Sequence, residues 1–249
     1  MTCYFPTSEE QCPEDSMHEI YAYNISNARG KVKKKCASVM ARAGFSTADL
    51  RAAGTEFLLA RVSPQIQDEA LRQLNRVFAT PTTTTHNSGT ANSIPPDLIT
   101  VHIRWGDKEQ EIKLLGIAEY IRAVQDIQRQ RGRSAETANV YLATEDPRAV
   151  AEFQAAALPG WKVYVDQYYH DLRSHRRDIY NGPNHMALDL AGRPGTIALG
   201  SLLVGMEAND YVLTTASNWS RLYNELRKAV VDPRCGNCTL MVDLKAGEW

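Results

Sequence analysis

The chain has 249 residues, 43% hydrophobic and 23% charged, with a formal net charge of -1 at pH 7. This is the balance of an ordinary globular protein with enough chain for a sizeable core. Near-neutral charge argues against a duplex nucleic-acid binder, whose surface carries a basic excess, and Lys31-Val32-Lys33-Lys34-Lys35 reads as a solvated face. No apolar run approaches the ~20 residues that span a bilayer, and no apolar leader opens the chain, so taken alone it reads as soluble.

Residues 1 to about 55 are polar and irregular, with a weak helical pattern around Ala37 to Ala43. Ser63 to Ala79 reads as a helix: Ser63 suits the N-cap, Pro64 the first turn, and Ile66, Ala70, Leu71, Leu74, Val77 and Phe78 one buried stripe. Thr80 to Pro96 is a Thr-rich, low-complexity stretch with little to bury. The spacing predicts a division into an irregular and helical segment (1–80), a flexible linker (81–96) and a regular α/β domain (97–249).

That domain alternates strands and helices. Strands are predicted at Leu98–Arg104, Asn139–Thr144, Trp161–Asp166, Asp210–Thr215 and Thr239–Leu244. Helices are predicted at Gly116–Arg131, from an Asp146-Pro147 start, at Thr196–Ala208 and at Asn218–Val230, with a polar loop rich in Tyr, His and Arg over Gln167–Gly195. Strands apolar on both faces, alternating with helices, imply a Rossmann-like, mostly parallel sheet flanked by helices. Ligands bind at the carboxyl edge of such a sheet.

Three polar clusters fall at that edge. In the first, His102-Ile103-Arg104-Trp105-Gly106-Asp107-Lys108, strand alternation puts Val101 and Ile103 on one face and His102 and Arg104 on the other. The Arg104 fork suits phosphate oxygens and Lys108 adds a second charge. Arg104 suits a stabilising pair with a nearby carboxylate equally well. In the second, Thr144-Glu145-Asp146, a carboxylate could accept hydrogen bonds from a base or ribose; Asp146 suits an N-cap, and Glu145 is the better placed of the two to face a ligand. In the third, Ser217-Asn218-Trp219-Ser220-Arg221 passes from strand to helix, where free N–H groups and the helix dipole favour an anion. There Ser217 can cap or contact phosphate.

His170, His175 and His185 lack metal-ligand spacing, and the chain has no Asp-x-Asp, no phosphate-binding Gly-x-x-x-x-Gly-Lys-Ser/Thr and no Gly-x-Gly-x-x-Gly. No metal or cofactor is expected. Cys235-Gly236-Asn237-Cys238 reads as a redox pair, half a zinc site or a short disulfide, and the five cysteines leave one unpaired in a fully bridged monomer.

Taken in order, these motifs resemble those of the α-1,6-fucosyltransferases and related fucosyltransferase-like proteins. His102 to Lys108 resembles their His-x-Arg-Arg-x-Asp-Lys element. Val140-Tyr141-Leu142-Ala143-Thr144-Glu145-Asp146-Pro147 is similar to their Val-Tyr-Leu-Ala-Thr-Asp-Asp-Pro segment. Asn209 to Leu213 followed by Thr215 to Leu222 resembles their Thr-x-Ser-Ser-Asn-x-Ser-Arg-Leu element, and Phe57-Leu58-Leu59-Ala60-Arg61 is similar to the segment before their nucleotide domain.

The resemblance covers roughly residues 57 to 231 and implies the GDP-fucose-binding, carboxyl-terminal half of a GT-B-like glycosyltransferase. Fucose would pass to a glycan or glycoprotein acceptor with inversion and without a metal. Arg104 would hold the β-phosphate and stabilise departing GDP. His102 and Lys108 would support the diphosphate, Glu145 and Asp146 would face the guanosine end, Ser217 would also touch phosphate, and Asp107, Asn218 and Arg221 would be further substrate-binding residues. As a piece of a longer protein, the chain would sit in the secretory lumen. Trp105 stands where the family has a second Arg, and Gly200, Ser201 and Leu202 where it has an Asp. An acceptor-binding amino-terminal half is expected to be largely missing. A non-catalytic nucleotide-sugar or glycan-binding module on the same scaffold is the alternative.

Overall fold

The computed structural model describes residues 44, 53–55, 59, 62–78, 94–105, 114–168 and 193–246. Helix α1 (Pro64–Val77) precedes an alternating series: β1 (Leu98–Ile103), α2 (Ile117–Gln130), β2 (Thr137–Thr144), α3 (Pro147–Ala156), β3 (Gly160–Tyr164), α4 (Arg193–Gly205), β4 (Asp210–Leu213), α5 (Asn218–Leu226), a wide π turn (Arg227–Val231), α6 (Asp232–Cys235) and β5 (Leu240–Asp243). The strands form one sheet in the order β3-β2-β1-β4-β5, every pair parallel. This is a Rossmann-like α/β arrangement.

β1 is central. Leu98 to Ile103 lie opposite Asn139 to Thr144 on one side, and Ile99 to Val101 opposite Asp210 to Val212 on the other. All six of its residues are buried, so the run is apolar with only Thr100 and His102 interrupting it, as a strand covered on both faces requires. The odd-numbered side chains Ile99, Val101, Ile103 and Trp105 enter one core with Tyr120, Val124 and Ile127 of α2 and Phe153 of α3. The even-numbered ones face the other layer, where the Thr100 hydroxyl donates to the Gly205 carbonyl at 2.7 Å.

That second layer holds α1 against α4. Glycine makes the approach close: a Cβ on Gly200 would lie 2.7 Å from Gln73 Nε2 and 3.3 Å from the Ala70 backbone nitrogen. Gln73 then donates to the Ile197 carbonyl at 2.9 Å. Helix α1, which the sequence groups with the amino-terminal segment, thus falls in the compact unit Pro64–Trp249.

Several expectations need correction. Leu71, assigned to the buried stripe of α1, is 57% exposed, and the polar Glu69 and Gln73 are buried instead; packing on α4 turns a Glu69–Gln73 hydrogen bond inward. Ser63 precedes α1, but its buried hydroxyl has no hydrogen-bond partner among the described residues. The helix predicted over Asn218–Val230 ends at Leu226, where the π turn begins. Its last N–H, on Asp232, bonds back to the Arg227 carbonyl. Asp232 is held there by Arg227 at 3.1 Å and by the Thr239 N–H at 3.1 Å. Of the readings open for Cys235 and Cys238, the short disulfide is the one present. Other element ends differ from expectation by a few residues, as fraying ends do. The linker, apart from residues 94–96, lies outside the described residues.

At the amino end of β4, Asp210 is buried and receives Arg131 Nε at 2.8 Å and Arg133 at 3.2 Å, while Arg131 also donates to the Cys238 carbonyl at 2.7 Å. Replacing Asp210 by Ala strands two half-buried guanidiniums. The expected cost is about 3 kcal/mol, the low end for breaking a buried pair because the arginines keep some solvent. Urea denaturation measures it, and a loss below about 1 kcal/mol would show that the cluster is not structural.

Candidate functional site

The strand order reverses at β1, between β2 and β4, and here the carboxyl ends of the strands open into a cleft. Its volume is about 290 Å³, near the lower end for small-molecule sites. His102 and Arg104 from β1, Glu145 after β2, Asp166 after β3, and Ser217 and Asn218 at the start of α5 all line it. Four elements separated in sequence therefore converge on one space.

Arg104 continues the alternation of β1 on the α4 face. Its guanidinium lies 3.3 Å from the Trp105 carbonyl and 3.4 Å from Glu145 Oε2. Glu145 is half exposed, so this is a screened pair at the mouth of a cleft, not a buried structural bridge. Trp105 takes the opposite direction. It is buried among Ile103, Ile117 and Tyr120, with its indole N–H donating to the Leu115 carbonyl at 3.1 Å. Arg104 is thus the one cation among the described residues that line the cleft.

Facing it is the first turn of α5, whose free N–H groups give a partial positive charge. Ser217 occupies the N-cap position in extended backbone, its side chain makes no capping hydrogen bond, and the residue lines the cleft. The turn is held from behind: Asp243 at the end of β5 accepts the Thr215 N–H at 3.0 Å and also its hydroxyl. Arg221 belongs to this bracing. It donates to the Thr215 carbonyl and, at 3.0 Å, to Asn218 Oδ1, and it is not among the cleft-lining residues.

Asp146 is likewise a cap. It accepts the Arg148 N–H at 2.8 Å and pairs with the Arg148 guanidinium at 3.0 Å, and these bonds hold its carboxyl below the usual range even though burial pushes it up. It does not line the cleft. Asp107 and Lys108 lie outside the described residues, as do His170, His175 and His185.

His102 is buried and shares a 2.6 Å hydrogen bond through Nδ1 with Ser220 Oγ, which also accepts the Thr214 N–H at 3.1 Å. One hydroxyl thus ties β1, the end of β4 and α5 together. Burial, and then the nearby Arg104 charge, push the imidazole down to about 3, so His102 works here as a neutral ring. The cleft also has members the sequence does not single out as site residues: Asp166, and Tyr141 within the Val140–Pro147 motif, whose hydroxyl meets Ser201 Oγ at 2.8 Å. Asp166 ends its strand as Glu145 ends the previous one, and that position was the available signal. Among the described residues, no group of three or more His, Cys, Asp or Glu is placed to hold a metal ion, and no helix is long and apolar enough to cross a membrane.

The unfolded chain takes a proton on His102 near pH 6.5, the folded chain only near pH 3. Acidification through that window therefore favours unfolding. Between pH 7 and pH 5 the melting temperature of the native chain is expected to fall more steeply than that of a His102→Gln variant; parallel curves would mean that the imidazole does not titrate as its burial requires. A scan against protein-family models and a search of curated proteins returned no match.

Proposed function

We propose that this sheet is the donor-binding half of an inverting, metal-independent glycosyltransferase that moves fucose from GDP-fucose to a hydroxyl of a glycan acceptor. The observation that carries the reading is that Arg104 and Ser217 line one cleft at the sheet's switch point, with the first turn of α5 beside them. Cationic fork, hydroxyl and helix N-terminus are the three groups that bind phosphate oxygens. The identity of the base and sugar comes from the motif resemblance alone.

In the reaction so read, the bond between the anomeric carbon and the β-phosphate oxygen breaks as an acceptor oxygen attacks from the opposite face. The acceptor proton leaves to a base, and negative charge grows on GDP. Arg104 meets that charge as it forms, which lowers the barrier more than it stabilises the ground state. His102, neutral and fixed by Ser220, offers a hydrogen bond without adding charge. Glu145 at the end of β2 is placed to accept hydroxyls of a ribose or base edge, and ligand entry would draw Arg104 off its present partner.

A second reading, a nucleotide-sugar-binding module without catalysis, is favoured by Trp105. Its burial leaves Arg104 to neutralise the diphosphate without a second arginine from this strand. Release of GDP from GDP-fucose, with or without glycan acceptors, separates the two, since a module binds the donor and leaves it intact.

Calorimetric titration with GDP and GDP-fucose, in buffer containing EDTA, tests both. Arg104→Ala is expected to weaken GDP binding about 30-fold, the loss of charged hydrogen bonds worth about 2 kcal/mol. The melting temperature should drop by no more than about 3 °C, because an exposed ion pair contributes up to about 1 kcal/mol. Equal GDP affinity in the variant would refute the site.

A further inference from the structure

A second groove, of about 500 Å³, opens along α1 and the start of α4. Ile197 lines both it and the first cleft. The partition between them is an ion pair: Arg76, on the groove, gives Asp166, on the cleft, hydrogen bonds of 3.2 and 2.7 Å. Arg76 also donates to Glu69 at 3.2 Å and stacks 4.8 Å from the centre of the Tyr168 ring. Arg193 donates to the Tyr168 hydroxyl at 3.1 Å, and Arg72 to Glu69 at 3.0 Å. Held on two sides, Tyr168 still keeps 38% of its surface in solvent, one of two exposed large hydrophobic side chains among the described residues.

Among the described residues, the groove lining carries three guanidiniums and two carboxylates, and Asp166, bonded to Arg76 from the cleft side, brings the two signs level. The guanidiniums of Arg72, Arg76 and Arg193 stand against the carboxylates of Asp68, Glu69 and the adjoining Asp166. An anionic ligand would need an excess of cations, and a cationic one an excess of acids. What alternating donors and acceptors match is a row of hydroxyls, each of which donates and accepts at once. A sugar ring also carries an apolar C–H face, and a part-exposed tyrosine ring contacted by two arginines is the surface such a face covers.

We infer that this groove is a saccharide site, which holds a neutral, hydroxyl-rich oligosaccharide against Tyr168 and delivers one of its hydroxyls to the first cleft past Asp166. That the bound sugar is the acceptor rests on the donor reading above; that the groove binds a sugar does not. Asp166 is then a positioning residue whose orientation Arg76 fixes.

Saturation-transfer NMR on the full chain, with lactose, maltotriose and chitotriose as neutral probes and 3′-sialyllactose as the anionic one, reads the groove directly. At least one neutral probe is expected to bind, and Tyr168→Ala to weaken it about tenfold, roughly the contribution of one aromatic contact, with the Kd for GDP unchanged. Asp68→Asn, on the exposed side of α1, is expected to weaken the same probe and serves if the tyrosine variant fails to fold. The inference is overturned if no neutral probe binds, if binding is equal in both variants, or if sialyllactose alone binds. If GDP fails to bind while a Tyr168-dependent saccharide signal persists, the donor reading falls and the saccharide groove stands.

Discussion

Parallel pairing of β1 on both of its edges is the constraint on which the rest depends. A strand bonded to β2 on one side and β4 on the other cannot slip by one residue without exchanging its two faces. Here that exchange would send Ile99, Val101 and Ile103 toward α4 and put Thr100 and His102 into the apolar layer under α2 and α3. The register that hides the aliphatic side chains is therefore also the register that delivers Arg104 to the switch point. Burial and binding chemistry share one alternating pattern.

The same economy appears in the polar side chains. Ser220, Asp243 and Arg221 touch no cleft volume, yet they set the position of the α5 turn through backbone atoms of Thr214 and Thr215. A helix N-terminus attracts anions only where its N–H groups point into a space an anion can enter. These three residues hold that aim, and the Ser220 hydroxyl additionally fixes the face that His102 presents.

Much of the fold was legible because it rests on local rules. The 2- and 3.6-residue periodicities located the sheet and its helices, and Asp146-Pro147 marked the start of α3 through its side-chain cap. What escaped depends on partners distant in sequence. Nothing in α1 itself says that Gly200 lets α4 come close enough to bury Glu69 and Gln73 and expose Leu71. The π turn after α5 follows from contacts between Asp232, Arg227 and Thr239 that helical periodicity does not encode. In the site, the cluster at the end of β1 announced Arg104. Asp166 reaches the cleft through sheet order, Tyr141 stands inside a motif that does not mark it as a site residue, and Arg221, which motif resemblance assigned to the site, is turned to its own helix start by a carbonyl six residues before it.

Trp105 has a consequence for any attempt to strengthen this cleft. Because the chain alternates through Arg104 to the next residue, position 105 opens onto the layer under α2, not onto the cleft. An arginine installed there would carry its charge into packed hydrocarbon, at a desolvation cost of several kcal/mol, and would bring no electrostatic help to an anion on the other side of the sheet. A designer seeking a second cation must graft it elsewhere: the exposed rim at Glu145 or Asn218 is open to it, and the strand itself is not.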